Sequence, residues 1–302
     1  MSDISIVIPT KNAGATFFDV LEAVYAQPGE YDVLVIDSGS TDETLDIVSD
    51  FPARLLTIPS AEFDHGGTRN LGITETSGQF IVFLTQDATP LDGWLTELIA
   101  PLREDSDIAG AYSRQLPRPT ATPMKRHFLA EFYSDSSETR SIATNRSPTR
   151  TEVFFSNVSS VIRRSVWENH PFPTDCIMSE DQLWAWDVLQ AGWKLRYQAS
   201  SRVHHSHDEG IKQIFKRYFD SGASLSQREF ATGDHDLSEM IRYQIQELQY
   251  LWENGYIHWL PYALLYSASK FSGLQLGKNH KWLPEWLVTR LSDTLSRKRW
   301  DS

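Results

Sequence analysis

Carboxylate and imidazole side chains occur where they could bind a cation or a phosphate group. Asp87 stands alone at the end of the apolar run in FLTQDATP, and His204, His205 and His207 follow much later in VHHSH. In an extended chain, the spacing of His205 and His207 points both imidazoles to one side. A lone histidine is usually structural, but a tight cluster favours a metal or a phosphate. Since Cys176 is the single cysteine, a structural zinc site is not expected, and a metal shared with Asp87 and phosphate oxygens would be magnesium or manganese.

Two further sets of charged groups stand at predicted helix starts. SEDQLWAW places Glu180 and Asp181 side by side, where the helix dipole favours negative charge and a structural role is one interpretation. Because adjacent residues point in different directions, one carboxylate could instead face a substrate while the other satisfies the backbone. HGGTRN places Arg69 behind paired glycines, and free N–H groups with a guanidinium suit a diphosphate. The alternative is a loop made flexible by the glycines, with an arginine on the protein surface.

An alternation of strands and helices positions these groups. The runs ISIVIP, DVLVID, RLLTI, FIVFL and IAGAYS predict strands at residues 4–9, 32–37, 54–58, 80–84 and 108–113, with helical patterns between them. This order predicts an α/β fold with a doubly wound, mostly parallel sheet. In such sheets ligands bind at the carboxyl ends of the strands. The polar residues at those ends are Thr10, Lys11, Asn12, Asp37, Ser38 and Asp87.

Asp37 has two equally supported interpretations. As an acid at a strand end, it could accept hydrogen bonds from a pyrimidine ring or a ribose. It could also be a turn residue that caps the next helix, and Ser40 with Glu43 fits a capping box at the start of that helix.

Beyond the fifth strand the pattern changes twice. Residues 114–150 are first proline-rich and basic and then polar throughout, which predicts a functional loop or lid on the acceptor side of the site. From 211 to 302 the chain is predicted to be helical. We therefore expect a first domain over residues 1–210 and a helical region over residues 211–302.

Charge and cysteine content limit the function classes. A formal net charge of -12 argues against duplex nucleic acid as a partner. One cysteine allows no intrachain disulfide, which is typical of a reducing compartment. The first residues, MSDISIVIPTKN, do not have the pattern of a signal peptide, and the sequence has no apolar run of about 18 residues. The expectation is a cytoplasmic protein.

Six motifs in order resemble glycosyltransferase family 2, whose members have the GT-A fold. They are IPTKN, VIDSGSTDET, RNLG, FLTQDATP, SEDQLWAW and VHHSH, and they extend the resemblance over roughly residues 4–230. Four finer details, HGGTRN, TQDA, EDQ and HSH, look like the bacterial rhamnosyltransferase branch, as does KFSGLQLGK in the tail. That branch builds O-antigens, capsules and wall polysaccharides. The implied fold is a GT-A sheet domain with a C-terminal helical extension.

The resemblance implies a divalent metal site that is short of one carboxylate. Asp87 matches the second aspartate of the family's Asp-x-Asp motif, and Thr85 stands where the first aspartate usually is. His207, with His205 as a rival, would supply the missing ligand to the metal or to the diphosphate. The implied cofactor is Mg²⁺ or Mn²⁺.

The resemblance also implies catalytic and donor-binding residues. Asp181 would be the catalytic base, and Glu180 would orient the acceptor or the helix. The residues implied to hold the nucleotide sugar are Thr10, Asn12, Asp37, Ser38, Arg69, Gln86 and Asp87.

The implied activity is inverting transfer of a sugar to a saccharide or undecaprenyl-linked acceptor. The implied donor is dTDP-β-L-rhamnose, with a UDP-hexose or UDP-N-acetylhexosamine as alternatives. A nucleotide-sugar-binding protein without catalysis is the rival from another class, and the retained Glu180–Asp181 pair argues against it. A nucleotidyltransferase would need a glycine-rich phosphate loop, which IPTKNAG does not supply.

The helical tail has three interpretations. LPYALLYSASKFSGLQLGKNHKWLPEW mixes aromatic residues, leucines and lysines, and RKRW follows near the end, with Trp300 as its last residue. Such a surface could rest on an anionic membrane, at its inner face. It could equally be a helical cap packed on the core, which is the favoured interpretation, or a dimer interface.

Overall fold

The computed structural model describes residues 2–143, 146–174, 176–230 and 235–294. Within these residues nine strands form one sheet. In chain order the strands are β1 Ile4–Thr10, β2 Asp32–Asp37, β3 Arg54–Thr57, β4 Phe80–Leu84, β5 Thr89–Pro90, β6 Ile108–Leu116, β7 Glu138–Arg140, β8 Ser159–Arg163 and β9 Lys194–His204. The five strands predicted from apolar runs are therefore all present, as β1 to β4 and β6.

The sheet has a parallel half and a mixed half. Its order is β3-β2-β1-β4-β8-β6-β9-β5, with β7 also paired to β9. Strands β3, β2, β1 and β4 are parallel, as the alternating pattern predicted. Strand β8 runs antiparallel to both β4 and β6, while β6 and β9 are parallel. The carboxyl ends of β1, β2 and β4 consequently meet at one edge.

Eleven α-helices accompany the strands within the described residues. They are α1 Thr16–Tyr25, α2 Thr44–Ser49, α3 His65–Thr74, α4 Trp94–Glu104, α5 Pro123–Phe132, α6 Arg164–Trp167, α7 Glu180–Gln190, α8 Ile211–Leu225, α9 His235–Glu253, α10 Leu260–Lys278 and α11 Glu285–Leu291. None of them is long and apolar enough to cross a lipid bilayer.

The chain forms two compact units. The first comprises residues 1–116, 133–174 and 180–205, and the second comprises residues 117–132, 175–179 and 206–302. The core of the first unit consists of buried side chains from β1, β2 and β4 with those of α1 and α4. In α1 the buried residues are Phe17, Val20, Leu21 and Val24, the spacing of an amphipathic helix whose apolar stripe faces a sheet.

The second unit contains a close pair of helices, α8 and α10. Added Cβ atoms at Gly273 and Gly277 of α10 would lie 2.4 and 2.0 Å from the backbone carbonyl oxygens of Phe215 and Phe219 in α8. No side chain fits at that distance, so only glycine permits this approach. The tail motif KFSGLQLGK is therefore a helix-packing element.

The segment at 114–150 is more regular than expected. It contains the end of β6, all of α5, and β7, which pairs with β9. The expectation of an irregular segment is wrong for these parts, because α5 buries Met124, His127 and Leu129 and so forms a helix despite the prolines before it. Its role on the acceptor side stays a prediction. The helical prediction after residue 210 is confirmed for the described residues, while RKRW and Trp300 lie outside them.

Candidate active site

Gln86 joins the ends of β1 and β4. Its Oε1 accepts hydrogen bonds from Thr10 Oγ1 at 2.8 Å and from the Lys11 backbone N–H at 2.7 Å. Its Nε2 donates to the Lys11 carbonyl at 3.2 Å. Two predicted donor-binding residues, Thr10 and Gln86, are therefore brought together at the carboxyl edge, and their contact with a nucleotide sugar stays a prediction.

Asp37 is buried beneath the turn that follows β2. Its Oδ2 accepts hydrogen bonds from the backbone N–H groups of Gly39 at 2.9 Å and Ser40 at 3.0 Å, and Oδ1 accepts one from Ser40 Oγ. Asp37 thus holds the turn but does not cap α2, whose N-cap residue is Glu43, and a pyrimidine contact stays a prediction. The capping-box prediction is wrong, because α2 begins only at Thr44 without a side-chain cap and Ser40 is held by Asp37 instead.

Asn12 and Ser38 tie the loops after β1 and β2 together. The Asn12 backbone has a φ of 48°, a left-handed conformation that asparagine tolerates better than most residues. Its Oδ1 accepts a hydrogen bond from the Thr41 N–H at 2.8 Å. Ser38 Oγ donates to the Thr10 carbonyl at 3.1 Å. Both predicted donor-binding residues lie at the expected edge and shape its loops.

A buried ion pair lies where α7 begins. Arg69 Nη1, on α3, is 2.8 Å from Glu180 Oε1, and both side chains are almost fully buried. The same nitrogen donates to the His65 carbonyl at 2.9 Å. Arg69 Nε is buried and makes no hydrogen bond within the described residues. The arginine predicted to hold a diphosphate therefore also neutralises one of the two adjacent carboxylates.

Asp181 is only partly buried and is held by two backbone groups. Its Oδ2 accepts a hydrogen bond from the Asn157 N–H at 3.1 Å, and Oδ1 accepts one from the Gln182 N–H at 2.8 Å. The residue before the pair, Ser179, has a φ of 64°. This left-handed conformation costs about 1 kcal/mol for a residue with a Cβ, and it leads into the first turn that presents the two carboxylates in different directions.

The two carboxylates have opposite pKa shifts. Burial raises the pKa of Asp181, and the negative charge of Glu180 raises it further, to about 7. Burial also acts to raise the pKa of Glu180, but the charges of Arg69 and His65 outweigh it and hold that pKa below the ordinary value. The first negative charge of the pair therefore resides on Glu180, and Asp181 exchanges a proton near neutral pH. A base with such a pKa is suited to catalysis in neutral solution.

Asn157 is a site residue that the sequence analysis missed. It precedes β8, is buried, and contacts both carboxylates: its N–H binds Asp181, and its Nδ2 lies 3.4 Å from Glu180 Oε1. Its Oδ1 accepts a hydrogen bond from Ser160 Oγ at 2.8 Å, which fixes the amide. No local pattern in FFSNVSSVI marks this asparagine, because the two carboxylates that it contacts lie more than twenty residues away.

Strand β5 brings Asp87 beside the imidazoles. Thr89 of β5 pairs with His204 of β9, so the segment carrying Asp87 runs past the end of β9. His205 Nε2 lies 3.6 Å from Asp87 Oδ1. One ligand atom from each of Asp87, His205 and His207 lies within 4.8 Å of the other two. The predicted metal-binding residues are therefore together, and whether they bind a metal stays a prediction.

Gln115 fixes the orientation of His205. The His205 Nδ1 lies 2.9 Å from Gln115 Oε1, and Gln115 Nε2 donates to Tyr133 Oη at 2.5 Å and Ser156 Oγ at 3.0 Å. This contact is compatible with Nδ1–H donating to the amide oxygen, which would leave Nε2, facing Asp87, as the nitrogen that binds a metal. Neither Gln115 nor its role was predicted.

Comparisons with known proteins show which family this chain resembles. A family model described as Glycosyl transferase family 2 matches residues 5–170. The O-antigen chain rhamnosyltransferase RfbN of Salmonella typhimurium is 38% identical over 93% of this chain and 91% of its own. The O-antigen chain rhamnosyltransferase WbaN of Salmonella anatum is 35% identical over 94% of this chain and 92% of its own.

A solved structure shows the same fold at low identity. The mannosyltransferase PcManGT from Pyrobaculum calidifontis, in complex with GDP-Man and Mn²⁺, has a TM-score of 0.55 and 15% identity, covering 99% of this chain and 85% of that chain. At this identity the likeness concerns the fold alone.

Proposed function

The chain belongs to glycosyl transferase family 2 and is a glycosyltransferase, and from that premise we propose that it transfers L-rhamnose from dTDP-β-L-rhamnose to a saccharide acceptor. The support is that two relatives named O-antigen chain rhamnosyltransferase align over more than nine-tenths of this chain. The product would be part of a bacterial surface polysaccharide.

Asp181 is the base of this proposed reaction. The observation that supports it best is the division of charge in the acidic pair: Arg69 neutralises Glu180 at 2.8 Å, while Asp181 stays partly exposed with its pKa raised to about 7. The acceptor hydroxyl oxygen attacks the anomeric carbon and its proton passes to the Asp181 carboxylate. The bond between the anomeric carbon and the diphosphate oxygen breaks, and its electron pair leaves with the nucleoside diphosphate. One displacement inverts the anomeric centre.

A divalent cation fits the group formed by Asp87, His205 and His207. The three ligand atoms are close enough to share one ion, and Gln115 holds the His205 ring through Nδ1 while Nε2 faces Asp87. Imidazole is a poor ligand for Mg²⁺, so of these two ions one carboxylate with two imidazoles favours Mn²⁺, with diphosphate oxygens of the donor as further ligands. Bound there, the cation would neutralise charge that develops on the diphosphate. Thr85 supplies no carboxylate, so in the proposed site the two imidazoles would join Asp87 as its single acid.

Replacing Gln115 by leucine should weaken Mn²⁺ binding by about 10-fold to 100-fold, the usual effect of losing the partner of a ligating histidine. Without the amide oxygen, the His205 ring loses the hydrogen bond that holds its tautomer. Titration of Mn²⁺ followed by electron paramagnetic resonance measures the affinity.

Gln198→Leu is the matched control for this change. Gln198 is also a buried glutamine of the first unit, but its hydrogen bonds go to Glu97 and Ser200. We expect its Mn²⁺ affinity to equal that of the unchanged protein. An affinity in Gln115→Leu equal to that of the control would show that Gln115 does not hold His205 for the metal.

Donor preference tests the rhamnose proposal directly. In isothermal titration calorimetry with Mn²⁺ present, dTDP-β-L-rhamnose should bind at least about tenfold more tightly than UDP-glucose or UDP-N-acetylglucosamine, a difference of about 1.4 kcal/mol. A preference for a UDP-sugar would replace the donor and leave the reaction class unchanged. Nucleotide release without any glycoside product, in the presence of acceptor saccharides, would contradict transfer itself.

The acceptor we propose is a saccharide carried on an undecaprenyl lipid. It would place the enzyme in the cytoplasm, at the inner face of the membrane, where an activated nucleotide sugar meets a lipid-linked chain. The support is the O-antigen function in the names of the two relatives.

A further inference from the structure

Exposed large apolar side chains are concentrated in the C-terminal helices. Thirteen such side chains are exposed within the described residues, and ten of them lie after residue 240. Scattered apolar residues on a surface are ordinary, but a concentration of this kind marks an interaction surface. Two of the ten are tryptophans close together in sequence.

These tryptophans belong to residues 276–290, LGKNHKWLPEWLVTR, here named the Trp–Lys segment. It runs from the end of α10 through a short 3₁₀ turn, His280–Trp282, to α11. Trp282 is 88% exposed and Trp286 is 63% exposed. An indole in a folded core is largely buried, and an indole held in water favours a partially apolar boundary such as a lipid headgroup region.

The charge of the Trp–Lys segment is opposite to that of the chain. The segment contains three basic residues, Lys278, Lys281 and Arg290, and one acidic residue, Glu285, whereas the whole chain has a formal net charge of -12. Lys281 and Arg290 are exposed. An acidic protein is repelled by an anionic bilayer except where cations face it, so this segment is the part suited to approach such a surface. A symmetric contact between two copies would instead bring these cations face to face.

The Trp–Lys segment is anchored to α8 at both ends. Gly273, just before the segment, and Gly277, at its start, allow α10 to lie against the backbone of α8. After it, Lys216 Nζ of α8 donates to the Ser292 carbonyl at 3.0 Å. Asp220 Oδ2 accepts hydrogen bonds from the N–H groups of residues 293 and 294, each at 3.0 Å. Because the backbone is fixed on both sides, the indoles are presented without the entropy cost of ordering a flexible tail.

We propose that the Trp–Lys segment docks the enzyme on the surface of an anionic lipid bilayer. Trp282 and Trp286 enter the headgroup region, and Lys281 and Arg290 contact lipid phosphate groups. The inference rests on the proposed function, in which the acceptor is carried on a lipid. It departs from the interpretation that the tail is only a packed cap, because α10 packs on α8 through its glycines while Trp282 and Trp286 remain exposed.

Co-sedimentation with vesicles tests the docking. The full chain should pellet with vesicles of phosphatidylglycerol and phosphatidylcholine, and the Trp282→Ala/Trp286→Ala variant should partition at least about tenfold less. Lys281→Glu/Arg290→Glu should remove the preference for anionic over pure phosphatidylcholine vesicles. Truncation before Gly277 is unsuitable because it would remove a residue that packs α10 on α8.

Trp252→Ala is the matched control. Trp252 is also 63% exposed, but it lies on α9 next to Glu253, outside the Trp–Lys segment. It should pellet like the unchanged protein, and an equal loss would contradict a role specific to the segment. If light scattering shows a dimer that the Trp282→Ala/Trp286→Ala change converts to a monomer, the segment is an interface between copies and the docking proposal is wrong.

Transfer to a water-soluble acceptor saccharide separates this inference from the proposed function. The docking variants should keep the unchanged rate on such an acceptor, because no membrane is involved. A protein that pellets as expected but transfers sugar to no acceptor would overturn the proposed function and leave the docking intact. A protein that transfers sugar but never pellets with anionic vesicles would overturn the docking alone.

Discussion

Replacing Asp181 by asparagine should lower the turnover number by about 10³-fold, within the range expected for loss of a general base. Asparagine keeps the shape of the side chain but cannot accept the acceptor's proton. Donor affinity should change by less than about threefold, since the donor's charge is met elsewhere and only the transition state loses a partner. Stopped-assay kinetics with saturating dTDP-rhamnose measure the turnover, and calorimetry measures the affinity.

The pH profile gives this prediction a second, independent signature. As the proposed base, Asp181 would act only when deprotonated, so kcat/KM of the unchanged enzyme should rise as pH increases through about 7, the raised pKa of this carboxyl. In Asp181→Asn the residual activity should lack that rise. If the residual activity of Asp181→Asn still rises over the same pH range, the titrating group is not Asp181.

Titration of Asp181 should also affect the stability of the fold. As pH rises, activity should increase while stability decreases. The folded chain holds the Asp181 proton more tightly than the unfolded chain, whose aspartates have ordinary pKa values near 4. The unchanged protein therefore loses stability as pH rises from about 4 to 7, by up to a few kcal/mol. Asparagine has no such titration, so urea unfolding should show the variant gaining relative to the unchanged protein over that interval.

Asp187→Asn is the control for the base. It lies six residues further along α7 and so points about 120° away around the helix axis. We expect its turnover to stay within about twofold of the unchanged enzyme, as usual for a residue without transition-state contact. Near-normal turnover in Asp181→Asn itself would remove Asp181 as the base.

The fold was predictable where local pattern determines structure. Strands β1 to β4 are continuous apolar runs ended by proline, turn residues or charge, and their alternation with helices requires a parallel arrangement. The two-residue β5 and the three-residue β7 have no such pattern. They exist because β9 offers hydrogen-bonding edges to chain segments that are distant in sequence. Helix α5 was missed because prolines before it suggested a loop.

The candidate site was likewise predictable from the sequence only in part. Residue types at strand ends were sufficient to select Asp37 and Asp87, and two adjacent acids at a helix start were sufficient to select Glu180 and Asp181. Their partners were not predictable, because Gln115 meets His205 across 90 residues and Asn157 meets Asp181 across 24 residues. An asparagine or glutamine has no distinctive sequence pattern of its own, and only the folded structure shows which groups its amide contacts. The pairing of Arg69 with Glu180 joins two motifs that the sequence presented as separate.

That pairing leads to the second large effect: Arg69→Met should destabilise the protein by about 3 to 5 kcal/mol, the usual cost of removing one partner from a buried ion pair. Glu180 would remain buried without its counter-charge. Urea unfolding at neutral pH measures the loss. Arg54→Met is the matched control, because the Arg54–Glu75 pair lies on the surface at 3.5 Å with both side chains about half exposed. Such exposed pairs contribute at most about 1 kcal/mol.

Combining Arg69→Met with Glu180→Gln separates the two roles of the arginine. The double variant has no uncompensated buried charge, so most of the lost stability should return. Donor affinity should nevertheless remain about tenfold weaker than in the unchanged protein if the guanidinium also neutralises the diphosphate, since a charge-assisted contact contributes about 1.5 to 3 kcal/mol. The Nε atom, which makes no hydrogen bond within the described residues, shows that the ion pair leaves part of the guanidinium unused. Full donor affinity in the double variant would restrict Arg69 to holding Glu180, and the charge of the leaving diphosphate would then be met by the cation site alone.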